Sequence, residues 1–272
     1  MRTIVIIFLV VAIGLFLAQR KLMYFPRKYA PGYVKSLVAK GLIPIRFTTS
    51  SGTQWAYYRP PGMPVAAGDL PESIWVLFGG NGSLALDWLM FLPPDSEPQA
   101  GLLLVDYPGY GECEGRTTRA AIDESLAALV PALAAELQVP KATIGGRLSV
   151  GGHSLGAAVA LEFAQMHPVR DIVLISAFTS MKDMAKQTVG WPLCEVLIDR
   201  YDNRATLAAL AGRNPRPTLR IFHGADDNLI LPRMGRELAA LHPGWASYHE
   251  FIGADHMDVV GESIIQCDRL RR

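Results

Sequence analysis

Gly152-His153-Ser154-Leu155-Gly156 is the stretch that decides the reading of this chain. It is a G-x-S-x-G run with a β-type segment before it (Leu148 to Gly151) and a helix-type segment after it (Ala157 to Ala164). A serine on a sharp strand-to-helix turn has its hydroxyl pushed into the open, and flanking glycines remove the side chains that would crowd that turn. Ser154 is therefore the candidate nucleophile. The motif alone is also compatible with chance in a chain of 25 glycines, so its surroundings carry the argument.

Working outward, short apolar runs alternate with amphipathic ones. Ile45 to Thr49 and Trp55 to Arg59 flank a Ser-Ser-Gly turn and read as a hairpin. Pro60 to Pro71 reads as a loop. Strands are then expected at Ile74 to Phe78, Gly101 to Asp106, Leu148 to Gly152, Asp171 to Ser176, Thr218 to His223 and Ser247 to Ile252. Helices are expected at Leu84 to Leu92, at Arg119 to Leu137 (which must accommodate Pro131), and near Arg233 to Leu241, with residues 22–44 as a connector. Strands apolar throughout are covered on both faces, as in a parallel sheet. The alternation predicts an open α/β sheet, whose ligands sit beyond the carboxyl ends of the strands, where Ser154 lies.

A serine hydroxyl needs a base to take its proton. On an elbow of this kind the chain order is serine, acid, histidine. His153 and His167 are too close to Ser154 to satisfy that order. His223 precedes the candidate acid and reads as packing or capping at a strand end. His242 closes a helix, and His249 lies within a strand pattern. His256, in the loop Gly253-Ala254-Asp255-His256-Met257, is the expected base. The acid comes from His223-Gly224-Ala225-Asp226-Asp227-Asn228; Asp227 is preferred, Asp226 is the alternative, and either could instead cap the following helix. Two backbone N–H groups are expected to hold an oxyanion: that of Leu155, and that of Asn81 in the loop Gly79-Gly80-Asn81-Gly82, with Gly80 as the near alternative. Asp106 is expected to tie down the loop beneath the site.

The 272 residues are half hydrophobic and 19% charged, with a formal net charge of +1, which suits a buried core and does not suggest nucleic acid as a partner. Cys113, Cys194 and Cys267 lack the spacing of a disulfide framework or a zinc site, and no cofactor or metal is called for. Ile4 to Ala18 is apolar throughout, with Arg2 before it and Arg20 and Lys21 after it. An uncleaved single-pass anchor is expected, using Leu22 to Phe25 to complete the span. A cleaved signal peptide, which would make the protein secreted or periplasmic, and a buried helix are the alternatives. The basic residues favour a cytoplasmic domain, although both ends carry them.

Taken together, Gly79-Gly80-Asn81-Gly82, Asp106-Tyr107-Pro108-Gly109-Tyr110-Gly111, Gly152 to Gly156, His223-Gly224-x-x-Asp227 and Gly253 to His256 resemble the α/β-hydrolase superfamily, in family order. Trp191-Pro192-Leu193 and Arg200-Tyr201-Asp202-Asn203 resemble its serine-hydrolase branch with a short N-terminal membrane segment, which includes lysophospholipases, depalmitoylases and peptidase-like members. The resemblance covers residues 22–262. Gly79 stands where that family often has His, Cys113 where Ser is common, and Pro232 one residue later than usual. The resemblance implies a mostly parallel central sheet flanked by helices, an N-terminal hydrophobic helix, and Ser154, Asp227 and His256 as a triad. It divides the chain into an anchor or signal segment (1–21) and a hydrolase domain (22–272) with a minimal lid at about 179–217. The implied activity is ester or thioester hydrolysis of a small-molecule, lipid or acylated-protein substrate. A serine peptidase and a non-catalytic binding module are the alternatives. Trp191, Leu193, Val196, Leu197 and Ile198 could line an acyl pocket or simply pack.

Overall fold

A computed structural model of the chain describes residues 1–62, 70–91 and 100–266. It begins with a long apolar helix, α1 (Arg2–Met23), followed by the short α2 (Tyr33–Val38). Strands β1 (Ile43–Thr49) and β2 (Gly52–Arg59) form the expected hairpin. The series β3 (Ile74–Phe78), β4 (Gly101–Val105), α3 (Arg119–Glu136), α4 (Lys141–Gly145), β5 (Leu148–His153), α5 (Leu155–Met166) and β6 (Asp171–Ile175) follows. Then come α6 (Met181–Val189), α7 (Asn203–Ala211), β7 (Thr218–Gly224), α8 (Pro232–Ala240), β8 (Ala246–Phe251) and α9 (Asp258–Gln266).

The eight described strands form one sheet in the order β1-β2-β4-β3-β5-β6-β7-β8. The β1–β2 and β2–β4 pairs are antiparallel and the remaining pairs parallel. This is the mostly parallel, helix-flanked sheet that the resemblance implies. Alternation splits each central strand between two cores. Ile74, Val76 and Phe78 of β3 face a core shared with α3 and α5, while Trp75 and Leu77 face a second core shared with α9. Both sheet faces are thus dry, which is why the central strands read as continuous apolar runs.

Two local expectations differ from the structure, and a third lies partly outside the described residues. The helix expected at Leu84 to Leu92 is a 3₁₀ turn, Ala85–Met90, and residue 92 lies outside the described residues. Its leading N–H groups are committed to tertiary partners. Ala85 N–H donates to Asp106 Oδ1 (2.8 Å) and Leu86 N–H to Tyr29 Oη (3.2 Å), so a regular helical start is replaced. The connector at 22–44 contains the end of α1 and all of α2. The loop at Pro60 to Pro71 lies partly outside the described residues. α3 runs through Pro131, whose position is exposed, so the carbonyl left without a helical donor is on the solvent side.

Candidate active site

Ser154 joins β5 to α5 in a conformation that side chains rarely adopt, with φ 57° and ψ −119°. These angles are those of the first central position of a type II′ turn, where glycine is favoured. The turn holds because its neighbours demand it. Ser154 N–H donates to the Ile175 carbonyl on β6 (2.9 Å), and the Ser154 carbonyl accepts from Ala157 N–H (3.0 Å). A side chain at Gly152 would collide with the Gly156 carbonyl, and one at Gly156 with the carbonyls of Phe78 and Gly79. Both glycines are therefore steric requirements of the helix packing back over the strands. Ser154 is largely buried. Its hydroxyl makes no hydrogen bond among the described residues.

The loops after β7 and β8 are pressed together at Gly224, where a side chain would strike the carbonyls of Ala254 and Asp255. Two backbone bonds bind the loops: Ala225 N–H to Phe251 (2.9 Å) and Asp226 N–H to Ala254 (3.0 Å). That contact places Asp227 Oδ2 2.8 Å from His256 Nδ1. Asp227 Oδ1 accepts the N–H groups of Leu229 (3.0 Å) and Ile230 (2.8 Å). Asp226, one residue away, is exposed and does not reach His256. Asp255 caps its own turn, accepting from Met257 N–H (2.7 Å) and Asp258 N–H (2.9 Å). Burial alone would raise the Asp227 carboxyl, but hydrogen bonds from His223, His256 and Ile230 outweigh it and hold it below the usual carboxylate range.

Two further histidines belong to this cluster, and the chain-order rule passed over both. His223 is fully buried, with Nε2 2.7 Å from the Ile230 carbonyl and 3.4 Å from Asp227 Oδ2. His153 Nε2 lies 2.9 Å from the backbone carbonyl of His256, and the two rings are 4.6 Å apart. A carbonyl only accepts, so His153 carries its proton on Nε2. Burial, reinforced by the neighbouring His256, pushes His153 down to about 3, so it is a neutral donor. A buried histidine immediately before the elbow serine, and another at a strand end four residues before an aspartate, were the available signals.

Asn81 is clamped on three sides. Its Nδ2 donates to the Met23 carbonyl at the end of α1 (2.9 Å), and its carbonyl accepts from Phe25 N–H (3.0 Å) and Tyr110 Oη (2.5 Å). Tyr107 Oη fixes the same loop through the Gly79 carbonyl (2.6 Å). At Gly80 a side-chain carbon would sit 3.5 Å from Ser154 Cβ, so the loop passes directly beside the serine. Leu155 N–H opens α5, where helical N–H groups have no partner within the helix. Neither it nor Asn81 N–H has an acceptor among the described residues. Asp106 ties this floor to α2's approach, accepting from Tyr29 Oη (2.8 Å) as well as from Ala85 N–H.

Ser154, Leu155 and Asn81 line a groove of about 240 Å³. Leu193, Val196 and Leu197 line it, whereas Trp191 and Ile198, expected beside them, are exposed and do not. Cys194 also lines it, and Cys113 is buried elsewhere with its thiol pushed up to about 12 by burial. Among the described residues no cluster of His, Cys, Asp or Glu is arranged to hold a metal ion.

The profile of the alpha/beta hydrolase family matches residues 75–247. An uncharacterized protein of Mycobacterium tuberculosis is 26% identical over 256 residues, covering 93% of this chain and 86% of that protein. Among solved structures, an alpha-beta hydrolase from Vibrio vulnificus superposes with a TM-score of 0.65 at 14% identity, covering 88% of this chain and 85% of that one. A Pyrococcus furiosus esterase superposes with a TM-score of 0.59 at 16% identity, covering 90% and 98% respectively.

Proposed function

The chain belongs to the alpha/beta hydrolase family, and from that premise we propose that it is a membrane-anchored serine hydrolase cleaving carboxylic ester or thioester bonds of an acylated substrate. The observation that carries this reading is the convergence of the strained Ser154 turn, the Asp227–His256 pair and an apolar groove at one end of the sheet. Ser154 is the proposed nucleophile. His256, through Nε2, takes the Ser154 proton as Oγ attacks the acyl carbonyl, and returns it to the leaving alcohol or thiol as the acyl-enzyme forms. Water then attacks the acyl-enzyme, giving its proton to His256, and Ser154 recovers that proton as the acid departs. Asp227 holds the Nδ1 proton and stabilises the imidazolium between these transfers. The N–H groups of Leu155 and Asn81 are the proposed oxyanion donors, since both are unpaired and flank the serine.

The groove's lining favours an acyl chain over a peptide, whose backbone polar groups need partners along their length. Only 6% of the most apolar window of α1 is buried, which sets aside the buried-helix alternative for this segment. Its C-terminal turn is nevertheless seated in the hydrolase body, with Gln19 and Met23 buried, which favours an anchor that is retained over a signal that is cleaved. Labelling of the full-length protein with a fluorophosphonate, wild type against Ser154→Ala, tests the nucleophile. Equal labelling of the two would overturn the assignment. A panel of esters, thioesters and amides then tests the bond class; preferential cleavage of amides would replace this reading with a peptidase.

A further inference from the structure

One wall of the groove is built from the apolar N-terminal helix itself. Leu15, Gln19, Leu22 and Met23 of α1 line it. They are held there by polar contacts confined to the helix end. Gln19 Nε2 donates to the Val196 carbonyl (3.2 Å), and Gln19 Oε1 accepts from Ile198 N–H (2.6 Å). Arg20 pairs with buried Asp199 through two nitrogens, at 3.1 and 3.2 Å. The opposite wall is α6, which presents Met181, Met184, Ala185 and Thr188 at the i, i+3, i+4, i+7 spacing of one helical face. Met181 and Met184 rest partly on the main core, and no residue of α6 is fully buried, so the rest of this mostly apolar face is left open to the groove. Ser154 and Leu155 line the same groove as the two helices.

We propose that this groove takes the acyl chain of a single-chain ester lipid, which enters from the membrane leaflet along α1, so that the anchor is also half of the acyl-binding site. The inference rests on the serine-hydrolase reading and names its substrate class. Two observations place the groove's outer end at the acyl layer. Ile4 to Ala18 rises only about 22 Å as a helix, short of the roughly 30 Å of a hydrocarbon core. Leu22 and Met23, which end α1 and also line the groove, extend the apolar span down to the hydrolase body, so the rim next to it meets the interface. That rim carries exposed apolar side chains, Trp191 (75% exposed), Leu229 (59%) and Ile198 (44%); tryptophan in particular suits the headgroup boundary. From Met23 to Leu15 the groove wall climbs about 12 Å toward the membrane. A chain lying there exchanges one apolar environment for another while its ester reaches Ser154.

The experiment measures kcat/KM of the full-length protein, in lipid nanodiscs, for p-nitrophenyl esters from acetate to dodecanoate. Relative to the ester free in water, each methylene taken into the groove is expected to raise kcat/KM up to about fourfold until the groove is full. Leu15→Trp fills the outer end and is expected to lower the dodecanoate-to-acetate ratio at least tenfold. Leu15→Ala enlarges it and is expected to move the preferred chain length upward, which keeps the test decisive if the Trp variant folds poorly. Fluorophosphonate labelling of Ser154 is read in parallel. A ratio unmoved in both variants while Ser154 labels normally overturns the groove assignment and leaves the hydrolase reading standing. Failure of wild-type Ser154 to label overturns both. In a second arm, lysophosphatidylcholine in phosphatidylcholine vesicles is compared with a palmitoyl-thioester peptide. Turnover of the lipid supports the proposal, and turnover of the peptide alone overturns the lipid assignment.

Discussion

Replacing Ser154 by glycine is expected to abolish activity and stabilise the fold at the same time. The serine sits at φ 57° and ψ −119°, a conformation that costs a residue with a side chain about 1–3 kcal/mol. Glycine relieves that strain but gains freedom in the unfolded chain, which returns about 0.4–1 kcal/mol. Against Ser154→Ala, which also lacks the hydroxyl but keeps Cβ and therefore the strain, Ser154→Gly should be more stable by about 1 kcal/mol. In a chain of this size that is about 2–4 °C in Tm. Urea unfolding of the detergent-solubilised full chain, followed through its five tryptophans, compares the two variants at constant m-value. Neither variant should bind a fluorophosphonate. If Ser154→Gly were less stable than Ser154→Ala, the turn would not be storing strain, and the argument that the β5–α5 packing forces the serine outward would fail.

Three other outcomes follow from the site. Asp227→Asn is expected to lower kcat by about 10⁴-fold, as loss of the orienting carboxylate does in serine hydrolysis, whereas Asp226→Ala, exposed and off the ring, should stay within twofold. Comparable losses in the two would remove the acid assignment. His153→Ala leaves the His256 carbonyl without its donor, and a buried unsatisfied group costs about 1–3 kcal/mol; kcat should fall with KM little changed, and His153→Gln, which can donate from the same place, should recover part of it. Equal loss in the Ala and Gln variants would contradict the positioning role. Burial pushes Asp106 up to about 7, with the Ala85 and Tyr29 donors opposing it. Its folded value lies above its unfolded one, so the folded state binds the extra proton and this contribution to stability is lost as pH rises from about 4 to about 7. Wild-type Tm minus Asp106→Asn Tm, measured from pH 5 to 8, should therefore fall with pH, by an amount equivalent to no more than about 3 kcal/mol. A flat difference would show that the Asp106 proton does not differ between the two states.

The sheet could be read from the chain because its central strands are apolar on both faces, a pattern local sequence cannot hide. The elbow could be read because Gly152 and Gly156 answer a steric demand that no other residue meets. The 3₁₀ turn at Ala85–Met90 could not, because its N–H groups are claimed by Asp106 and Tyr29, which are distant in sequence. His153 and His223 were set aside because chain order sorts residues by their place in the chain. Their contacts to the His256 carbonyl and to Asp227 arise from loops that meet only when the strands are stacked.

By itself the sequence determined the layered sheet, the position of the serine on its turn, and a short list of acids and bases, since each of these rests on contacts between near neighbours or on the two-sided burial of a strand. The tertiary structure alone decided which aspartate meets the His256 ring: both lie in one loop, and Gly224's close approach to the Ala254 carbonyl brings that loop against the other with the Asp227 carboxylate inward and Asp226 in solvent. It alone decided that α1 is a wall of the groove, because apolarity along a helix specifies an environment, while the face that meets Ser154's groove is chosen by Gln19, Arg20 and Asn81 reaching partners far along the chain.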